Sequence, residues 1–236
     1  MACDAYTVLM LHCNGTDAST TFTDDGVTGH TVTANGNAQI DTAQSVFGGA
    51  SGLFDGTADY LTVPDSDNWD MGSGDFTLDL RIRFNSIAAV QGIIQQSTSG
   101  ADGWTWRFVG GGSNLLILQI NGVTIINKGW SPSTATWYHV ALTRSGNSWR
   151  YFIDGTQLGT TVTDATGMPA IATGLKIGQL NDGGTTYDFN GWMDEIRISK
   201  GIARWTADFT PEVVEYCAAS ASQAPRSMHQ YRLRRV

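Results

Sequence analysis

One stretch near the C-terminal end predicts the fold of this chain: Gly191-Trp192-Met193-Asp194-Glu195-Ile196-Arg197-Ile198-Ser199. Its residues alternate with a period of two, which is typical of a β-strand with one buried face. Strict alternation predicts that this face is formed by Trp192, Asp194, Ile196 and Ile198. Asp194 is the exception among them, because a carboxylate with apolar neighbours must be paired, hydrogen-bonded or bound to a cation.

The rest of the sequence favours strands and turns. Its 236 residues are 41% hydrophobic and 15% charged and include 28 glycines, a composition that suits a sizeable core in one large β domain. The clearest strand is Asp75–Phe84, where apolar residues alternate with Thr, Asp and Arg. Asn35-Gly36 and Asn121-Gly122 predict hairpin turns. About a dozen strands with no helical pattern predict an all-β, antiparallel two-sheet sandwich.

We expect one domain over residues 1–217, since no break in composition divides it, followed by a tail over residues 218–236. The tail is predicted to be a basic docking arm or a disordered end, with four arginines and no acidic residue from position 226 onward. The three cysteines, Cys3, Cys13 and Cys217, are too few for a disulfide framework. A buried free thiol is favoured for Cys13, and a Cys13–Cys217 pair is the alternative.

The charge distribution argues against nucleic acid as a partner. The formal net charge is −8, and residues 1–80 contain twelve Asp and no Lys, Arg or Glu. Phosphate contacts need clustered cations, which this chain lacks outside the tail. The sequence also shows no signal-peptide pattern and no 18-residue apolar run, so we expect no signal peptide and no membrane insertion.

Several stretches together resemble the concanavalin A-like lectin/glucanase superfamily, and within it the laminin-G-like jelly-roll modules. They occur in the order found in that family and extend over about residues 6–210. The resemblance implies a two-sheet jelly-roll sandwich. The stretches are Phe54–Pro64, Asp75–Phe84, Trp137–Arg144, Tyr151–Gly155 and Gly191–Ile198.

The segment Ser199–Pro211 resembles the version of this module found in phage and prophage virion proteins. That resemblance implies a non-enzymatic protein on the virion surface, a capsid decoration or fibre-type module that contacts other capsid or tail proteins. Adhesion to cell-surface glycans and homo-oligomer formation are further expectations. The alternative is a carbohydrate-binding receptor-recognition module of a tail fibre.

A glycan-degrading enzyme is disfavoured. Glucanases of the superfamily carry an E-x-D-x-x-E strand, whereas this chain has only Glu195, Glu212 and Glu215 and no such motif. Asp194 and Glu195 are predicted to point to opposite faces of their strand, so they are not expected to form a catalytic pair. The four histidines stand in no nucleophile-elbow context. They are His12, His30, His139 and His229.

Calcium is the cofactor that the sequence allows, as a structural ion. Hard cations take oxygen ligands from loop Asp and Asn residues. In related jelly-roll modules a structural calcium lies near the chain ends, and the resemblance implies the same position here. The candidate ligands are Asn14, Asp17, Asp55 and Asp194. The alternative is that Asp194 accepts backbone N–H bonds from a neighbouring loop.

Glycan contacts are predicted from aromatic residues beside turns, because pyranose rings stack on exposed aromatic rings. Most aromatic residues of a sandwich lie in its core, and Trp104 and Trp106 share one strand face as core residues would. The predicted ligand-binding residues are Trp130, Trp149, Asn181, Asp182 and Tyr187.

Overall fold

The computed structural model describes residues 3–99 and 101–217, so the predicted basic tail lies outside the described residues. Within these ranges no helix has the length and apolar character needed to cross a bilayer. A single 3-10 turn is present there, at Asp67–Trp69. The strands of the described part are β1 (Thr7–Leu11), β2 (Thr33–Asn35), β3 (Gln39–Asp41), β4 (Ser51–Asp55), β5 (Tyr60–Val63), β6 (Phe76–Phe84), β7 (Val90–Gln96), β8 (Trp104–Val109), β9 (Leu115–Ile120), β10 (Val123–Gly129), β11 (Trp137–Ser145), β12 (Ser148–Ile153), β13 (Thr156–Gln157), β14 (Val162–Thr163), β15 (Leu175–Ile177), β16 (Gln179–Asp182), β17 (Thr185–Asp188) and β18 (Asn190–Lys200).

Two large sheets face each other. The nine-stranded sheet runs β13-β12-β11-β6-β18-β4-β3, with β1 also paired to β18 and β14 to β12. The seven-stranded sheet runs β10-β9-β8-β7-β15-β5-β2, and β16 and β17 form a separate hairpin. Side chains such as Leu78 and Ile82 from one sheet and Trp106 and Leu118 from the other form the buried core. The predicted all-β two-sheet jelly-roll sandwich is confirmed.

Strand β18 is the central element of the nine-stranded sheet. One edge pairs with β6, while the other pairs with β4 near Gly191 and with β1 near Ile198. A bulge interrupts the β6 pairing between Asp194 and Arg197, and Glu195 has a φ of 52°. A bulge adds one residue to one strand and reverses the alternation beyond it.

The predicted face of β18 is therefore wrong in its first half. Met193 packs in the core with Ile196 and Ile198, whereas Trp192 is half-buried and lies opposite Arg83 on the outer face. Asp194 lies on that outer face too, opposite Arg81. Strict period-two counting cannot detect this change, because the extra residue comes from backbone geometry at Glu195.

One predicted hairpin is also wrong. Asn35-Gly36 does not join two paired strands: β2 belongs to the seven-stranded sheet and β3 to the nine-stranded sheet, so the turn carries the chain from one sheet to the other. Gly36 adopts a φ of 67°, which explains the turn dipeptide without a hairpin. The second prediction is confirmed, since Asn121-Gly122 joins the paired strands β9 and β10.

A segment without strands, residues 201–217, crosses the outer face of the nine-stranded sheet; we call it the C-terminal strap. Its end is bonded to the other end of the described chain by a Cys3–Cys217 disulfide, so the alternative Cys13–Cys217 pair is wrong. Cys13 is a buried free thiol, as favoured from the sequence. Because the strap lies over it, the part of the outer face of β6 and β18 that carries Asp79 and Arg197 is buried.

Beneath the strap lies a charged pair formed by Asp79 and Arg197. Two hydrogen bonds of 3.0 Å join the Arg197 guanidinium to the Asp79 carboxylate, and His139 Nε2 lies 3.2 Å from the same carboxylate. Burial would raise the pKa of Asp79, but the charge of Arg197 and the hydrogen bonds from His139 and Arg197 hold it below its ordinary value. The Tyr216 ring of the strap lies 3.8 Å from the Arg197 guanidinium.

Removing one charge of this pair should destabilise the protein strongly. We expect Asp79→Asn to lower the free energy of unfolding at pH 7 by about 3–5 kcal/mol, because it leaves Arg197 buried without a counter-charge. Urea unfolding measures this change. The control Asp65→Asn alters an exposed carboxylate and should stay within about 0.5 kcal/mol of the wild type. A similarly small effect of Asp79→Asn would contradict the expectation.

Candidate functional site

Two of the predicted glycan-binding residues are core residues, so their predicted exposure is wrong. Trp130 is only 8% exposed and packs edge-on against Phe84. Trp149 is fully buried, packs against Phe76 and donates from Nε1 to the Asp164 carbonyl. Trp130 follows the end of β10 and Trp149 lies in β12, and the side chains of both enter the core, as those of Trp104 and Trp106 do.

The other three predicted residues come together on the β16–β17 hairpin. Asn181, Asp182 and Tyr187 are half-buried, and the hairpin that carries them lies against β7 on the outer face of the seven-stranded sheet. Gly92 makes this close approach possible, since a Cβ at that position would come within 2.3 Å of the Leu180 backbone nitrogen. The hairpin therefore carries all three at the surface, with Asp182 and Tyr187 on one face and Asn181, whose Oδ1 accepts the Gly184 N–H, on the other.

Two residues that the sequence did not single out complete this site. Arg107 of β8 donates from Nη1 to Asp182 Oδ2 at 2.9 Å and from Nη2 to Gln119 Oε1 at 2.5 Å. The Arg107 side chain is 12% exposed and that of Asp182 is 44% exposed, so the ion pair borders solvent. We call these residues the hairpin cluster: Arg107, Gln119, Asn181, Asp182 and Tyr187.

One residue of the hairpin cluster, Gln119, also belongs to a row of polar side chains that crosses the seven-stranded sheet. Its members lie opposite one another in the cross-strand register. The β16–β17 hairpin covers the centre of the row, where the Asn181 backbone N–H donates to Gln95 Oε1 at 3.0 Å. At the far end of the row Lys176 Nζ lies 4.8 Å from the centre of the Tyr60 ring, beside a groove of about 260 Å³. The members of the row are Thr33, Thr62, Lys176, Gln95, Thr105, Gln119 and Thr124.

The chemistry of the hairpin cluster suits a hydroxylated ligand. Guanidinium, carboxylate and amide groups present donors and acceptors side by side, and the half-buried Tyr187 ring adds an apolar face. Small-molecule sites combine such a few polar groups with apolar surface. The arrangement contains no nucleophile activated by a neighbouring base.

The four predicted calcium ligands are not brought together. Asp55 lies opposite Asn190 in the β4–β18 pairing, and Asp194 is four residues further along β18, which places them about 13 Å apart. Asp17 accepts the Thr42 N–H, and Asn14 donates to Glu215. Across residues 3–99 and 101–217, no group of three or more His, Cys, Asp or Glu residues could hold a metal ion.

Asp194 instead takes the alternative role considered for it. Its Oδ2 accepts the backbone N–H groups of Val46 and Phe47 at 2.8 and 3.2 Å, from the loop between β3 and β4. Burial raises the pKa of Asp194 to about 7, with a further contribution from the charge of Glu195, although the two backbone hydrogen bonds oppose the shift. Asp194 therefore holds a loop in place and changes charge near neutral pH.

Glu195 is buried beside Asp194 and has different partners. Its Oε1 lies 2.6 Å from His12 Nδ1, and its Oε2 accepts the Tyr216 backbone N–H at 2.6 Å. Burial lowers the pKa of His12, but the hydrogen bond and charge of Glu195 raise it above its ordinary value overall. The bulge removes the simple alternation on which the predicted separation of Asp194 and Glu195 rested. The two carboxylates differ in their partners: Asp194 binds the β3–β4 loop, whereas Glu195 binds His12, the residue after β1, and Tyr216 of the strap.

The raised pKa of Asp194 predicts a pH-dependent stability. The pKa of Asp194 is about 7 in the folded protein and 3.8 in the unfolded chain. The folded protein therefore binds this proton more tightly, which stabilises it fully below pH 3.8. This stabilisation is lost as the pH rises from 3.8 to 7. Asp194→Asn removes the ionisation and keeps an acceptor for the loop. Between about pH 4 and 7, we expect the free energy of unfolding of the variant to rise relative to that of the wild type by on the order of 1 kcal/mol per pH unit.

Urea unfolding of both proteins at pH 4.5, 6 and 8 measures this difference. Asp65→Asn is the matched control, because its exposed carboxylate should leave the profile of the wild type unchanged. Parallel wild-type and Asp194→Asn profiles would show that Asp194 does not titrate in this range.

Calcium binding stays a prediction of the sequence, and melting tests it directly. A calcium ion that binds the folded protein should raise the calorimetric melting midpoint above the midpoint measured with a chelator. At a free calcium concentration of about a hundred times the dissociation constant, the added stability is about 2.7 kcal/mol. Asp55→Asn should reduce that shift if this residue is a ligand. Equal midpoints in calcium and chelator would refute the prediction.

Comparison with known proteins identifies the family. A laminin G family profile, described as concanavalin A-like lectin/glucanases superfamily, matches residues 55–204. The chain belongs to this superfamily. No curated protein matches it.

Solved structures show the same fold at low sequence identity. The binding domain of botulinum neurotoxin DC in complex with rat synaptotagmin II has a TM-score of 0.60 and 17% identity, and the binding domain of Paraclostridial Mosquitocidal Protein 1 has 0.62 and 13%. A botulinum neurotoxin type C structure, described as dependent on two ganglioside molecules for cell entry, has 0.59 and 18%. Each match covers 84% of this chain and 49% of the other, so the chain spans about half the length of these neighbours.

Proposed function

We propose that this protein is a non-enzymatic, lectin-like adhesion module on the surface of a phage virion, and that the hairpin cluster contacts its glycan. The observation that carries the proposal is the grouping of Arg107, Asp182 and Tyr187 at the surface of a lectin-like fold. The superfamily contains lectins and enzymes, so the site and not the fold must support the choice.

The burial of three carboxylates, two of them adjacent in β18, supports a non-enzymatic role. Asp79, Asp194 and Glu195 are fully buried, and each is engaged by a guanidinium, a histidine or backbone N–H groups. A retaining glycosidase needs two carboxyl groups about 5 Å apart that both reach the sugar. Carboxylates under the strap and the β3–β4 loop do not reach a ligand in solution.

The virion assignment is supported by the resemblance of Ser199–Pro211 to phage and prophage modules. In the structure this segment continues β18 into the C-terminal strap, where Arg204 binds Asp4 with two hydrogen bonds of 2.9 Å. The partners we propose are other capsid or tail proteins. In this proposal the basic tail docks on those partners, and the protein forms a homo-oligomer on the particle.

A receptor-recognition module on a tail fibre is the second candidate. The names of the structural neighbours favour it, because they describe binding domains, one in complex with synaptotagmin II and one linked to gangliosides. Both candidates use the same hairpin cluster, and they differ in the place of the module on the particle.

Electron microscopy of purified particles with a gold-labelled antibody against this protein tests the virion assignment. Label distributed over the capsid supports a decoration role, and label at the tail supports the receptor module. Particles without label, from a host that produces the protein, would refute both locations.

Glycan-array binding by purified protein tests the adhesion role. We expect Tyr187→Ala to weaken the binding of any recognised glycan by about tenfold, the equivalent of about 1.4 kcal/mol, because it removes the stacking surface of the hairpin cluster. Tyr6→Ala is the matched control, since Tyr6 is 46% exposed and lies beside the strap. No binding across the array, or equal losses in the two variants, would overturn the proposed site.

A further inference from the structure

A second row of side chains crosses the opposite sheet and is open to solvent. The β3–β4, β4–β18, β18–β6 and β6–β11 registers place five residues side by side on the outer face of the nine-stranded sheet. All five are half-buried. We call them the tryptophan row: Gln39, Leu53, Trp192, Arg83 and Trp137.

Neighbouring rows of the same face are covered. The row that contains Arg81 and His139 lies under Phe47 of the β3–β4 loop and under Trp205 of the strap. The following row contains Asp79 and is fully buried. The tryptophan row therefore forms a strip between these covers and the loops at the ends of the strands.

The centre of the strip is held in a defined orientation. The Arg83 guanidinium lies 4.8 Å from the centre of the Trp192 ring, and Trp192 Nε1 donates to Asp41 Oδ2 at 2.6 Å. Trp137 lies across from Arg83 on the next strand, so Arg83 occupies the register position between the two tryptophans. A surface fixed by such contacts loses little conformational entropy when a ligand binds.

We propose that the tryptophan row is a second carbohydrate-binding surface, which takes a linear oligosaccharide laid across the strands of the nine-stranded sheet. It deepens the proposed adhesion function and rests on it for the class of ligand, but it uses residues of the other sheet. The indole of Trp192 presents an aromatic face to the C–H face of a pyranose ring. Arg83 and Asp41 supply a donor and an acceptor for its hydroxyl groups.

The dimensions of the strip favour a glycan chain over a protein. Five strands at about 4.8 Å spacing give a strip about 19 Å long, a length that suits about four pyranose units. A stable protein partner needs about 800 Å² of surface on each side, usually as a broad patch. The strip is one row of side chains wide, because the strap and the β3–β4 loop limit it on one side.

Trp137→Ala is the main test variant. Trp137 is at one end of the strip, and within residues 3–99 and 101–217 its side chain makes no hydrogen bond or aromatic ring contact. Its removal therefore leaves the contacts among Trp192, Arg83 and Asp41 in place. Trp192→Ala removes the central ring, and Trp192→Phe restores an aromatic face without the Asp41 hydrogen bond. Melting temperatures of all variants verify that each is folded.

The probes are an array of linear oligosaccharides from two to eight units, followed by titration calorimetry with the best binder. We expect the wild type to bind chains of four or more units better than dimers. Trp137→Ala and Trp192→Ala should each raise the dissociation constant at least tenfold, and Trp192→Phe should recover part of the loss. Unchanged affinity in folded Trp137→Ala and Trp192→Ala would overturn the inference.

The hairpin-cluster variant Tyr187→Ala separates this inference from the proposed function. If Tyr187→Ala loses binding while the tryptophan-row variants bind with wild-type affinity, the adhesion role is supported and the second surface is refuted. If only the tryptophan-row variants lose binding, the second surface is supported and the hairpin cluster is refuted as a glycan site. An array without binding for the wild type contradicts both.

Discussion

The buried pair of Asp79 and Arg197 is the constraint on which the outer half of this structure depends. Both groups stand on the face of the nine-stranded sheet that would ordinarily meet water, and the strap excludes water from them. A buried charge is tolerated only with a well-placed partner, so the strap, β6 and β18 have to keep one mutual geometry. His139 and the ring of Tyr216 complete the surroundings of the pair.

The strap also determines which surfaces remain for binding. It is fastened at Cys217 by the disulfide, at Tyr216 by Glu195 and at Arg204 by Asp4. By covering most of one face it leaves the tryptophan row as a narrow strip, while the hairpin cluster occupies the outer face of the other sheet. The two proposed glycan surfaces thus lie on the outer faces of opposite sheets of the sandwich.

The bulge in β18 shows why the candidate site could be predicted only in part. Period-two counting found the strand and identified Asp194 as the residue that needed a partner, and the structure supplies that partner in the N–H groups of Val46 and Phe47. The same counting placed Trp192 in the core, because nothing in the residue types signals the extra residue at Glu195. Local pattern therefore does not indicate Trp192 as a surface residue, and it does not reveal that Trp130, just after β10, and Trp149, in β12, pack into the core.

By itself the sequence determined most of the strands and the two-sheet sandwich, because alternation and turn chemistry are local properties that each segment carries alone. The family was indicated separately, by the resemblance of five stretches in their order. The sequence also indicated Asn181, Asp182 and Tyr187, which are close in the chain and share one hairpin. Only the tertiary structure decided that Arg107 meets Asp182, that Cys3 rather than Cys13 bonds Cys217, and that Arg83 lies between two tryptophans. Those contacts join residues far apart in the chain, and their register is set by bulges and by the packing of whole sheets, which no local pattern encodes.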